Sequence, residues 1–88
     1  MQHIPIIYSE DYTVSLEFLR KDDKLLAFIH ADIRTWNKSI YQELQSQWKA
    51  FRQIYTQPIY ALPPQENTAK FARLFGFKPL GNIMRHRV

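Results

Sequence analysis

The sequence predicts an α+β domain, α/β-like in its second half, in which a mixed sheet carries two helices. Three observations carry this. Tyr12, Val14, Leu16 and Phe18 alternate with Thr13, Ser15, Glu17 and Leu19, the period of a half-buried strand. Trp36, Ile40, Leu44, Trp48, Phe51 and Tyr55 recur at spacings of three or four, the stripe of an amphipathic helix. Residues 58–81 read strand, helix, strand, with Gly76 where a helix should stop. The expected order is β(β)β–α–β–α–β in one domain spanning 1–88.

Taken in order, Ile4–Tyr8 is a short edge strand, because Pro5 cannot donate to a central ladder. Lys21-Asp22-Asp23-Lys24 is a turn-forming cluster that folds the 12–19 strand onto a second strand, Leu25–Ile33. This second strand reads as more deeply buried. One face carries Leu25, Ala27, Ile29, Ala31 and Ile33, the other Leu26, Phe28, His30 and Asp32. Thr35 or Asn37 caps the long helix by accepting from orphan N–H groups, while Gln42, Gln45, Ser46, Lys49, Arg52 and Gln53 face water. The aromatic stripe suits a core better than a base-stacking platform. A helix of this length between two strands favours a parallel crossover, placing strand 58–62 beside 25–33. Pro63-Pro64-Gln65 breaks that strand. Asn67 or Thr68 starts the second helix, whose buried side is Phe71, Leu74 and Phe75. The last strand, Phe77–Val88, is interrupted at Pro79 and Gly81 and ends in Arg85-His86-Arg87, a solvated basic end.

A chain of 88 residues buries roughly 60–65% of its unfolded surface, so the core must be efficient or completed by a partner. Six Phe, five Tyr and two Trp supply large burial per residue. There is no cysteine, hence no disulfide and no thiolate zinc site. Met1–Tyr8 lacks a basic leader, and no apolar run approaches the roughly 20 residues of a bilayer span. The expectation is a soluble, cytoplasmic protein. Residues 1–34 carry a net charge of −2 and residues 35–88 a net charge of +6. A basic half suits an anionic partner, whether nucleic acid, nucleotide cofactor or acidic protein face, and equally suits simple solubility.

Asn67 followed nine residues later by Gly76-Phe77, with an amphipathic helix between, resembles the last conserved block of the GNAT (Gcn5-related N-acetyltransferase) superfamily. The strand-loop Tyr60-Ala61-Leu62-Pro63, and the hairpin and long helix before it, fall in the family's order. The resemblance covers roughly residues 12–84 and implies a truncated member, without the family's N-terminal strand and first two helices. Ile29-His30-Ala31-Asp32-Ile33-Arg34-Thr35-Trp36-Asn37, together with 67–77, is similar to small GNAT-like proteins of tailed bacteriophages, including internal virion and head-assembly components. A place in the virion joins the cytoplasm as an expected location.

The resemblance implies chemistry that the residues can be checked against. The family meets the pyrophosphate of coenzyme A at a glycine-bearing turn before its long helix. Here that junction is Arg34-Thr35-Trp36-Asn37-Lys38-Ser39, without glycine and with a bulky indole. Thr35, Lys38 and Ser39 are the remaining candidates for holding an anion at a helix N-terminus. Asn67 matches the asparagine that faces the pantetheine arm, and serves equally as a helix cap. The family's tyrosine general acid lies four residues before the glycine, a position held here by Ala72. The best general-base candidates are His30 and Asp32, spaced i, i+2 on one strand face, which a half-exposed polar face explains as well. His3 and His86 lie near the two ends and form no metal-ligand spacing, so no metal is expected.

Three readings follow. The first is a non-catalytic GNAT-like module without cofactor, acting by protein–protein contact, as a homo-oligomer or with phage structural proteins. The second is a small divergent acyltransferase using acetyl-CoA. The third is a nucleic-acid-binding accessory protein.

Overall fold

The computed structural model describes residues 3–62 and 66–88. Six strands form one mixed sheet in the order β1-β2-β3-β4-β6-β5, with two helices. Among these residues no helix is long and apolar enough to cross a membrane.

β1 (His3–Tyr8) is an edge strand antiparallel to β2 (Tyr12–Lys21). The register slips between Pro5 and Ile7, so the extra residue turns Ile7 toward the core, where it is buried opposite Val14. β2 pairs along its whole length with β3 (Lys24–Ile33), from Tyr12↔Ile33 to Lys21↔Lys24. The two-residue turn between them holds Asp22 at φ 51° and Asp23 at φ 66°. Two consecutive left-handed residues match the right-handed twist of a hairpin. Aspartate tolerates that region better than most residues.

α1 (Lys38–Ile54) is capped by Asn37, whose Oδ1 accepts from the Ile40 N–H at 2.9 Å. Its buried side includes Ile40, Leu44 and Trp48, as the stripe predicts. Trp36 precedes the helix and is exposed, and Tyr55 is its C-cap. Arg52, expected in water, is buried beside Trp48. β4 (Ile59–Ala61) then runs parallel to β3, in register at Ala27↔Ile59 and Phe28↔Tyr60.

α2 (Glu66–Leu74) buries Ala69 and Ala72 in the core and packs Phe71 against it, while Leu74 turns outward. The small alanines set the approach to the sheet, and the expected Leu74 lies on the far side of the turn. Pro63-Pro64-Gln65, the predicted break, lies outside the described residues. Gly76 stops the chain at φ 90°.

The expected single last strand is instead a hairpin, β5 (Lys78–Leu80) and β6 (Ile83–His86), turning at Gly81-Asn82 with Gly81 at φ 63°. β6 pairs antiparallel with β4, which leaves β5 at the edge. Both sheet edges therefore carry a proline, Pro5 on β1 and Pro79 on β5, which blunts edge-to-edge pairing.

Both helices lie on one sheet face. Val14, Leu16, Ala27, Ile59 and Met84 form a single core with residues of α1 and α2. The Trp48 Nε1–H donates to the Phe75 carbonyl at 3.2 Å, joining α1 to the end of α2. Tyr12, almost fully buried, donates its hydroxyl to Glu43 Oε1 on α1. Burial, reinforced by that carboxylate, raises its phenol above the ordinary range. The opposite face carries Glu17, Leu19, Leu26, Phe28, His30 and Tyr60, with no helix over it among the described residues. β3, expected to be deeply buried, has only Ala27 fully enclosed: the open face uncovers Leu26, Phe28 and His30, and on the helix side Leu25 and Ala31 are exposed as well.

Candidate functional site: a cleft where two strands part

The pairing of β3 with β4 is short. It covers two residues of each strand, after which β3 runs on to Ile33 beside β2 alone. The gap that opens is a cleft of about 460 Å³ between sheet and helices. Ile29, Ala31 and Ile33 of β3 form one wall, Ala61 and Leu62 the other, and Phe71, Ala72 and Phe75 close it from α2. Every lining side chain is apolar or aromatic, and none carries an acid or a base titrating near neutrality. Such a cleft can hold an apolar chain or a side chain, and it offers no proton donor.

Trp36 stands in this lining. Its ring lies 5.1 Å from that of Phe71 and 5.8 Å from that of Tyr41. The segment that presents it is pinned. The Arg34 and Thr35 N–H groups donate to Asp11 O at 2.8 and 3.2 Å. The Arg34 guanidinium donates to Glu10 O, Ser9 O and Thr13 Oγ1 and pairs with Asp32 at 2.6 Å. Immediately after, Asn37 closes the first turn of α1. Thr35, Lys38 and Ser39 remain exposed at that helix end.

The remaining predicted residues are dispersed. His30 and Asp32 are on the helix-free face, away from the cleft, and each has another partner. His30 Nε2 lies 3.1 Å from Glu17 Oε1, and Asp32 is held by Arg34. Asn67 falls within the first turn of α2 rather than ahead of it, and its side chain lies outside the described residues. Ala72 is buried and faces the cleft.

Two groupings escape a reading by spacing. His86, expected in a solvated basic end, is partly buried against Arg52, Trp48 and Phe77. Burial, and then the Arg52 guanidinium, push its imidazole down to about 4. Arg52 spends its donors on carbonyls and on His86, so it is withdrawn from the basic surface available to an anion. On the other face, His3 stacks on His30 with ring centroids 4.2 Å apart, although spacing had set it aside. The hairpin turn at Asp22-Asp23 could have revealed that residues 17 and 30 are diagonal neighbours. The bulge in β1 hides the place of His3.

No family model matches the chain, and searches of curated proteins and of solved structures find no significant match.

Proposed function

We propose that this chain is a non-catalytic GNAT-like module, of the kind tailed phages use in virion structure or assembly, that acts by protein–protein contact. The observation carrying the non-catalytic part is Ala72. The resemblance puts the proton donor there; the residue does face the cleft, and it offers only a methyl group. The candidate bases His30 and Asp32 lie across the sheet, too far round to serve a substrate in the cleft. The junction where the resemblance places a pyrophosphate is occupied by Trp36 and bound down by Arg34 and Asn37.

The contact surface in this proposal is the helix-free face around Phe28 and Tyr60, whose rings are 5.7 Å apart, and its occupant is a second copy of the chain. A small chain with partly exposed aromatic side chains on a helix-free sheet face gains by covering them. Titration with acetyl-CoA should give no saturable heat. Sedimentation should show a mass that rises with concentration, and Phe28→Glu should keep the chain monomeric. Saturable acetyl-CoA binding lost on substitution of Lys38 would favour the acyltransferase reading. A monomer at every concentration would remove the self-contact.

A further inference from the structure

We infer that His3, Glu17 and His30 form a binding site for one divalent transition-metal ion of the zinc class on the helix-free sheet face. The site requires only this chain and does not rest on the contact proposed above, although it adjoins it on the same face, Glu17 lying directly opposite Phe28.

Three adjacent strands contribute one ligand each. His3 on β1 is directly opposite Glu17 on β2, while His30 on β3 is opposite Ser15, one step along the same face. Ser15 is small and buried, so nothing bulky stands between the imidazoles on either side of β2. The rings stack at 4.2 Å with their planes only 16° apart. Both reach the same carboxylate. His30 Nε2 lies 3.1 Å from Glu17 Oε1, and His3 Nε2 lies 3.9 Å from Glu17 Oε2. One ligand atom from each residue falls within 4.8 Å of the others.

Those separations suit coordination. With metal–nitrogen and metal–oxygen bonds of about 2.1 Å, tetrahedral ligand atoms sit about 3.4 Å apart. The two histidine–carboxylate distances bracket that value. The widest separation would have to shrink by at most about 1.4 Å, and the two near-parallel rings would have to turn until a nitrogen of each points at one ion. Two neutral imidazoles and a carboxylate are a borderline donor set that suits Zn²⁺ and Co²⁺ better than Ca²⁺ or Mg²⁺, which prefer oxygen alone. His3 and His30 are roughly half exposed, so an ion has a way in and keeps a position for water. Glu17 is the most enclosed of the three, with 16% of its side chain exposed, and serves as the fixed member.

The test uses the whole chain, with Zn²⁺ alone followed by calorimetry and Co²⁺ alone followed by visible absorption. One ion per chain is expected, with the intense bands of a four-coordinate cobalt site. His3→Ala and His30→Ala should each weaken binding by more than the roughly 10- to 100-fold that loss of an outer-shell partner costs. Glu17→Gln should also weaken it, and Asp32→Asn, on the same face but outside the cluster, should not. Circular dichroism should show His30→Ala folded, since that ring is exposed. Absence of saturable binding, or binding that survives His30→Ala unchanged, would overturn the assignment and leave an ordinary cross-strand His–Glu pair.

Discussion

Arg52 donates from Nε to Nδ1 of His86 at 3.0 Å, tying the C-terminal turn of α1 to β6, the strand next to the sheet edge. The same guanidinium donates from Nη1 to Tyr55 O at 2.8 Å and Gln57 O at 2.7 Å, and lies 5.7 Å from the centre of the Trp48 ring. Among the described residues no carboxylate pairs with it. Its charge is instead met by carbonyl dipoles and an aromatic face. A neutral ring that accepts the shorter bond at Nδ1 carries its proton on Nε2, so the indole N–H of Trp48, 3.4 Å from that atom, makes its hydrogen bond to Phe75 O instead; a second proton would remove the acceptor that Arg52 uses.

This pair makes stability depend on pH. His86 titrates at about 4 in the folded chain and near 6.5 when unfolded. Between those values the unfolded state binds the extra proton, so stability is whole above pH 6.5 and declines as pH falls toward 4. With the ring partly open to solvent, the loss should amount to about 1–2 kcal/mol. Urea unfolding followed from pH 7 to pH 4 should show the decline. His86→Phe should flatten that part of the curve.

Removing the guanidinium should cost more than removing the imidazole. Arg52→Met keeps much of the apolar stem against Trp48 but leaves the Tyr55 and Gln57 carbonyls without their donor. Taking the donor from these part-buried carbonyls, together with the lost contact to His86, predicts a loss of about 1–3 kcal/mol, readable as a lower urea midpoint with an unchanged slope. Arg52→Lys should fall between, since one ammonium cannot reproduce the planar fork. In Arg52→Met the acid-side decline should also shrink, because one cause of the depressed His86 pKa is gone.

Gly76 is required twice. Its φ of 90° is one that side-chain-bearing residues rarely adopt, and a Cβ there would lie 3.2 Å from Cδ2 of His86. Gly76→Ala should destabilise by about 1–3 kcal/mol, shown by thermal melting. Gly81→Ala is the control: at φ 63° it meets the backbone penalty, but nothing lies within 4 Å of its Cβ. The difference between the two variants combines the contact with the His86 ring and the larger backbone cost at φ 90°.

Much of the fold was legible because its signals are local. Period-two alternation marked the β2–β3 hairpin, the 3.6-residue stripe marked α1, Asn37 could be named as a possible cap, and Gly76 as the stop of α2. The parallel placement of β4 beside β3 followed from connection geometry. The terminal hairpin is less legible, because Pro79 fits the interruption of a single strand as well as it fits an edge residue, even though Gly81-Asn82 is itself a two-residue turn signal.

By itself the sequence determined the segments of β2, β3, α1 and β4, and the side of α1 on which Ile40, Leu44 and Trp48 are buried. Only the tertiary structure decided which polar groups meet. Arg52 looked like a surface residue until Trp48 and His86 closed around it, and His3 looked isolated until a bulged edge strand carried it to His30. The cleft, too, exists only because β3 outruns β4. Periodicity reports the side a residue faces, whereas contacts between distant segments depend on register and on where pairing ends, which no local pattern encodes.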